Sequence, residues 1–424
     1  MLKSSFRSFV FGLSLLLVFA SVPVAAAAEA SIKVTVDGKA LSFNVKPQSS
    51  NNTTLIQLDT VAAKIGASVK TDAKTKKITV TKGKSTAVVT IGSDKATIDG
   101  KAVTLAAKVA EKSGKALVPV RFIGDAFGVW VNYNAAAKTV SIETKRTLKH
   151  AMGSTTLTSV PKRVVVLFNG QVDITLTLGV KPVGAVESWV QTPWYHYLRA
   201  DMSGVKNLGS ELQPNVEAIV GLKPDLIIGS KTRHEKIYGQ LSAIAPTLFV
   251  EEVFGWKANM ELEAKAVNKE DKADAFMKNW NKRVADFKKK IGDKANQEIS
   301  IIRFQDDNTA RFYITGFAGT IFKELGLKRP KAQKEEGSKV LVNLTTQEQI
   351  PLMDGDIIFD ITSSYGEGNE FKSQQEWQKN PLWENLKGVK NGKYYKVNDI
   401  TWNMSGGATA AMMLLDDLYF YFDL

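Results

Sequence analysis

The sequence predicts an α/β protein: two α/β lobes joined by one long rigid helix, preceded by a small α+β domain. Three observations carry this. Positive charge is concentrated in the first third of the chain, and that same third repeats itself. From residue 147 onward, strands alternate with helices on both sides of one long amphipathic segment. With 424 residues, 44% of them hydrophobic, the chain has material for roughly two to four packed domains.

Residues 1–28 read as a secretory signal peptide. Lys3 and Arg7 open it, an apolar run extends from Phe9 to Ala20, and small residues lead to a cut near Ala28. An uncleaved anchor helix is the competing reading of that run, and Pro23 with the alanines favours cleavage. The protein is therefore expected to work outside the cytoplasmic membrane.

Between Glu29 and Arg146 there are 19 Lys/Arg and 9 Asp/Glu, a net of +10, whereas residues 147–424 net only +1. This step places a boundary at residue 146, separating a front domain over 29–146 from a main domain over 147–424. The front domain repeats at an offset of 62 residues. LIQLDTVAAKIGASVK from Leu55 matches LVPVRFIGDAFGVWVN from Leu117, pairing Leu58 with Val120, Gly66 with Gly128 and Val69 with Val131. Each copy reads as a short helix ending at its glycine, then two strands. The stretch TAVVTIGSDKATIDGKAVTL between the copies alternates like hairpin strands.

On VPVRFIGDAFG and the strand pair after it, this domain resembles the copper amine oxidase N-terminal-like domain of exported Gram-positive proteins. The name implies no copper chemistry here, because residues 29–146 contain neither His nor Cys. The resemblance implies a stalk for spacing or retention. Its net charge could hold anionic cell-wall polymer, and a solvated lysine face is the plainer reading.

In the main domain, RVVVLF at 163–168 is a buried-type strand, QVDITLTLGV a helix closing at Gly179, PVGAVES the next strand and PDLIIGS another. These belong to a first lobe over about 147–260. A helix over about 265–291 follows, with Ala273, Phe276, Trp280, Val284, Phe287 and Ile291 in one apolar stripe. A second lobe over about 298–424 contains a hairpin of ISIIRF and RFYITG, the helix GTIFKELGL, the strand DIIFDIT and a C-terminal helix from Ala408.

Residues 146–424 resemble the class III substrate-binding proteins that deliver ferric siderophores to ABC importers, most of all the Gram-positive branch for citrate-type siderophores. The resemblance rests on PKRVVVLFNGQVDITLTLGVKPVGAVESW, LGSELQPNVEAIVGLKPDLIIGSKTRHEKIYGQLSAIAPT, IPLMDGDIIFDI and NDITWNMSGG. It implies capture of a ferric siderophore, of carboxylate or mixed citrate–hydroxamate type, and delivery to an ABC permease of the cytoplasmic membrane. It also implies a cell-surface or cell-wall protein of a Gram-positive bacterium. With no cysteine in the sequence, the expectation is one without a lipid anchor.

Such a ligand is an oxygen-rich anion whose iron is already coordinated. The protein needs guanidinium forks and aromatic faces, not metal ligands or a cofactor. Arg233 lies just past the strand LIIGS, and Arg311 and Tyr313 alternate on one face of RFYITG. All three match the family's pocket positions, and Arg303 on the neighbouring strand is a further candidate. Trp189, Trp402 and Asn403 lie on loops that the resemblance places at the cleft, and Asn169 follows the first strand. For permease docking, Glu217 matches the acid of the first lobe. Thr320 stands where the second is expected, which leaves Glu324 one turn on.

Other functions find little footing. HEKIY has no second histidine for zinc, GKST lacks the leading glycine of a phosphate loop, and no G-x-S-x-G occurs, so no enzyme is expected. His150, His196 and His234 lie on separate segments, which disfavours a bare metal ion as ligand. Haem, cobalamin and a purely structural wall protein are the remaining alternatives. The near-neutral main domain gives no footing for nucleic acid.

Overall fold

A computed structural model describes residues 32–50, 53–334, 339–364 and 366–424. The segment read as a signal peptide lies outside them. Among the described residues no helix is long and apolar enough to cross a membrane.

The front module is built from the repeat. Strand Thr53–Gln57, helix Leu58–Lys64 and hairpin Ser68–Asp72/Lys77–Lys82 form one copy; Lys115–Pro119, Val120–Phe127 and Trp130–Asn134/Thr139–Glu143 form the other. Both helices stop where predicted, at glycines with φ of 74° (Gly66) and 62° (Gly128). The strands opening the two copies pair antiparallel, Leu117 opposite Gln57, so the copies share one core around Ile56, Val61, Val118 and Ile123. The linking stretch completes a five-stranded antiparallel meander, and Lys33–Val36 lies parallel to Thr139–Glu143.

The first lobe carries a five-stranded, wholly parallel sheet, in the order Lys206–Asn207, Gly184–Ala185, Val164–Val166, Leu226–Ser230, Thr247–Val250. Its central strands are buried on both faces, hence their unbroken Val and Ile. The strand predicted over PVGAVES is ordered as strand only at Gly184–Ala185. The second lobe carries a mixed sheet. Leu341–Leu344, Ala310–Tyr313 and Ile299–Phe304 run antiparallel, and Ile357–Asp360 and Tyr394–Lys396 add parallel to Ile299–Phe304.

Between the lobes the chain forms helix Trp256–Val267 and then the linking helix Glu270–Ile291, whose 22 residues span about 33 Å. The helix predicted over 265–291 is thus interrupted. Asn268 adopts the left-handed conformation (φ 57°), ends the first helix and turns the chain into the second. The predicted stripe is the inner face: Ala273, Trp280, Val284, Phe287 and Ile291 are all below 9% exposed, and Phe276 is half-buried. The C-terminal helix Ala408–Tyr421 returns to the first lobe. Asp173, on helix Asn169–Thr177, accepts the backbone N–H of Thr409 (2.8 Å) and Ala410 (3.0 Å), capping it. That cap fixes the π-helical turn Ile400–Met404 and the residues up to 407 just before it, at the mouth between the lobes.

The front module also packs on this frame. Trp130 is fully buried in the main-domain core and donates its indole N–H to Ala266 O at 3.0 Å, while Val131 N donates to Asn268 Oδ1 at 3.1 Å.

Candidate functional site

A cavity of about 380 Å3 opens between the two lobes. Phe168, Trp189, Glu211, Arg233 and Phe254 line it from the first lobe; Arg303, Arg311, Tyr313, Asn403 and Met404 face them from the second. Its size is that of an ordinary small-ligand site.

Each lobe supplies its arginine by a different local device. Strand Leu226–Ser230 ends in the short helix Lys231–His234, which puts Arg233 at the carboxyl end of a parallel sheet. Its Nε donates to Glu211 Oε1 at 3.1 Å, and its guanidinium lies 5.9 Å from the Trp189 ring centre. Glu211 is 1% exposed at its side chain. Its other oxygen accepts the backbone and side-chain N–H of Asn169, at 3.0 and 2.8 Å. His234 fixes the main chain of Glu211: Nδ1 accepts Ser230 N–H at 3.1 Å and Nε2 donates to Glu211 O at 2.7 Å. Burial pushes the Glu211 carboxyl above its ordinary pKa, against the pull of Asn169 and Arg233, and holds the His234 imidazole below its own.

In the second lobe, Arg303 and Arg311 are direct cross-strand partners of an antiparallel pair, so both point to one face with Tyr313 two residues on. Two like charges placed opposite each other repel, and Asp399 relieves this by pairing with Arg303 (Nη1 to Oδ2, 3.2 Å). The other oxygen of Asp399 accepts Asn403 Nδ2 at 3.1 Å. Arg311 is treated differently. Its Nε is buried without a hydrogen-bond partner, and none of its nitrogens is paired among the described residues. Tyr313 is held from behind by the Arg329 guanidinium, which donates to its carbonyl.

Of the residues anticipated from sequence, Arg233, Arg303, Arg311, Tyr313, Trp189 and Asn403 meet in this one cavity. Two do not. Trp402 is turned into the core, unlike its neighbour Asn403: it is 1% exposed, packs tilted against Phe359 (4.7 Å between ring centres, 50° between planes) and donates to Asp417 Oδ2 at 2.7 Å. In the π-helical turn Ile400–Met404 the side chains fan out around the axis, so Asn403 and Met404 reach the cleft while the indole of Trp402 goes to the core. Asn169 is also buried and stands behind the wall, where it holds Glu211.

Of the two docking acids, Glu217 is exposed in the first turn of helix Val216–Leu222. Glu324 is engaged internally, accepting from Lys257 Nζ at 2.5 Å and Trp280 Nε1 at 3.0 Å. It ties the second lobe to the linking helix while its side chain stays 27% exposed.

Sequence reasoning missed Glu211 and Asp399, the two buried acids, together with the apolar lining of Phe168, Phe254 and Met404. An acid in a loop carries no periodic signal. Among the described residues no three His, Cys, Asp or Glu side chains converge as a metal site would require.

Two family profiles match the chain. A family profile described as periplasmic binding protein matches residues 164–401, and one described as copper amine oxidase N-terminal domain matches residues 35–142. The chain is 47% identical over 290 residues to a probable siderophore-binding lipoprotein of Bacillus subtilis, YfiY, covering 67% of this chain and 89% of that one. It is 34% identical over 262 residues to the achromobactin-binding periplasmic protein of Dickeya dadantii, covering 61% and 85%. Among solved structures, Staphylococcus aureus SirA complexed with staphyloferrin B superposes with a TM-score of 0.63 at 41% identity, covering 66% of this chain and 98% of that one.

Proposed function

Given that the chain belongs to the periplasmic binding protein family, we propose that it is the extracytoplasmic binding component of an ABC importer, capturing a ferric siderophore of carboxylate type for iron uptake. The supporting observation is Arg311. Arg311 is half-buried with its Nε shielded and, among the described residues, unpartnered, and it faces a cavity flanked by two further arginines, so the site offers a guanidinium whose counter-charge a ligand can supply. Planar guanidinium groups grip carboxylates through paired hydrogen bonds. Trp189 and Tyr313 offer flat faces to the ligand backbone, and siderophore oxygens already fill the iron's coordination sphere. No step of chemistry is asked of the protein, which binds and releases its ligand unchanged.

The front module at residues 29–146 serves, in this reading, as a basic foot on anionic cell-wall polymer, with the binding domain at 147–424 held outside the membrane and Glu217 offered to the permease. Intrinsic tryptophan fluorescence tests the ligand reading, since Trp189 is in the wall. Titration with ferric citrate-type siderophores is expected to quench at micromolar concentration or below, and ferric trihydroxamates or catecholates to quench less. Arg311→Ala is expected to weaken binding by about 1.5–3 kcal/mol through loss of a charge-assisted contact. No response to any ferric siderophore refutes the proposal.

A further inference from the structure

The three guanidiniums around the cavity are not held on equal terms. In the first lobe Asn169, Glu211 and Arg233 form a chain: two N–H groups of Asn169 fix one carboxylate oxygen, and the other takes Arg233 Nε. In the second, Asn403, Asp399 and Arg303 form the same chain in the same order. Each lobe thus presents an asparagine, a buried acid and an arginine. Among the described residues, only Arg311 of these three stands in the wall without an acid of its own.

A buried carboxylate in a site for an anion repels the ligand, so its presence needs a compensating use. That use is geometric. An arginine side chain has many rotamers, and ordering it at the moment of binding subtracts from affinity. Held by Nε and laid against Trp189, Arg233 has neither Nη nitrogen partnered among the described residues, which leaves both for a ligand. Glu211 itself cannot drift, because Asn169 and the His234–main-chain bond fix both ends of the residue.

We propose that Glu211 is a positioning residue for ligand capture, acting through Arg233: it pre-orients the guanidinium fork and cancels its charge, so that Arg311 alone carries the net charge of the site. This rests on the ferric-siderophore reading above. It predicts coupling, not merely loss.

The test is a double-mutant cycle read as dissociation constants for one ferric citrate-type siderophore, with thermal midpoints measured alongside. Glu211→Gln is expected to weaken binding about tenfold, and Arg233→Ala by more. The double variant is expected to bind as Arg233→Ala does, within about twofold, because Glu211 has nothing left to orient. A merely structural Glu211 would lower the thermal midpoint and give fold-losses that multiply in the double variant, and either multiplication or an unchanged affinity for Glu211→Gln overturns the proposal. Should Glu211→Gln fold poorly, Asn169→Ser loosens the same carboxylate without removing it; a several-fold loss that disappears in the Arg233→Ala background is expected, and an additive loss refutes it. If the wild-type chain binds no ferric siderophore, the ligand reading fails and takes this inference with it. If the wild type binds and the cycle is additive, only this inference fails.

Discussion

Val69 and Val131 hold equivalent places in the two copies of the front-module repeat, yet Val69 is 37% exposed and Val131 5%. The same contrast runs along both strands. Ser68–Asp72 is exposed throughout, whereas Trp130–Asn134 begins buried. The difference comes from a neighbour. Trp130, where the first copy has Ser68, plugs into the main-domain core and lies under the Arg146 guanidinium, 5.4 Å from its ring centre. Arg146 in turn bonds Lys265 O at 2.7 Å, Glu270 at 2.5 Å and Glu143 at 2.7 Å. Duplication supplies two equal shapes, and a few side chains on one of them choose the face that docks. The docked face rests on Asn268, the residue that breaks the helix leading into the linker. The module is therefore seated at the base of the linking helix.

Four substitutions test this contrast. Trp130→Ala removes the plug and should cost about 3–5 kcal/mol of stability in urea unfolding, with the front module melting separately; a cost below about 1 kcal/mol would mean the indole does not carry the docking. Asn268→Ala strands the buried Val131 N–H and puts alanine at a left-handed position, for an expected loss of about 1–3 kcal/mol. Glu270→Gln weakens a half-shielded ion pair and should cost about 1 kcal/mol, less at high salt, as denaturation at two ionic strengths would show. Val69→Thr, in the undocked copy, should stay within about 0.5 kcal/mol of the parent. A large effect there would erase the distinction between the copies.

Much of this was legible in the chain. A repeat at constant offset, glycines at the ends of both short helices and period-two alternation in RFYITG are local patterns, and local patterns survive in sequence. That alternation by itself puts Arg311 and Tyr313 on one face. Trp402 and Asn403 were not separable in the same way, since which of two adjacent turn residues faces the cleft depends on what packs behind, here Phe359 and Asp417. Glu324 looked like a surface acid because nothing nearby in sequence announces Lys257 or Trp280 as its partners. The break at Asn268 was hidden by an apolar stripe that continues on its far side.

The sequence by itself determined the α/β class, the two-part division of charge, the repeat and the arginines available for an anion, because composition and short-range periodicity follow directly from covalent order. Only the tertiary structure decided which arginines are already paired, which acids are buried beside them and which copy of the repeat meets the main domain. Those are contacts between residues dozens to hundreds of positions apart, such as Asn169 with Glu211 or Trp130 with Ala266. Their energies depend on burial, and burial exists only once the chain has folded.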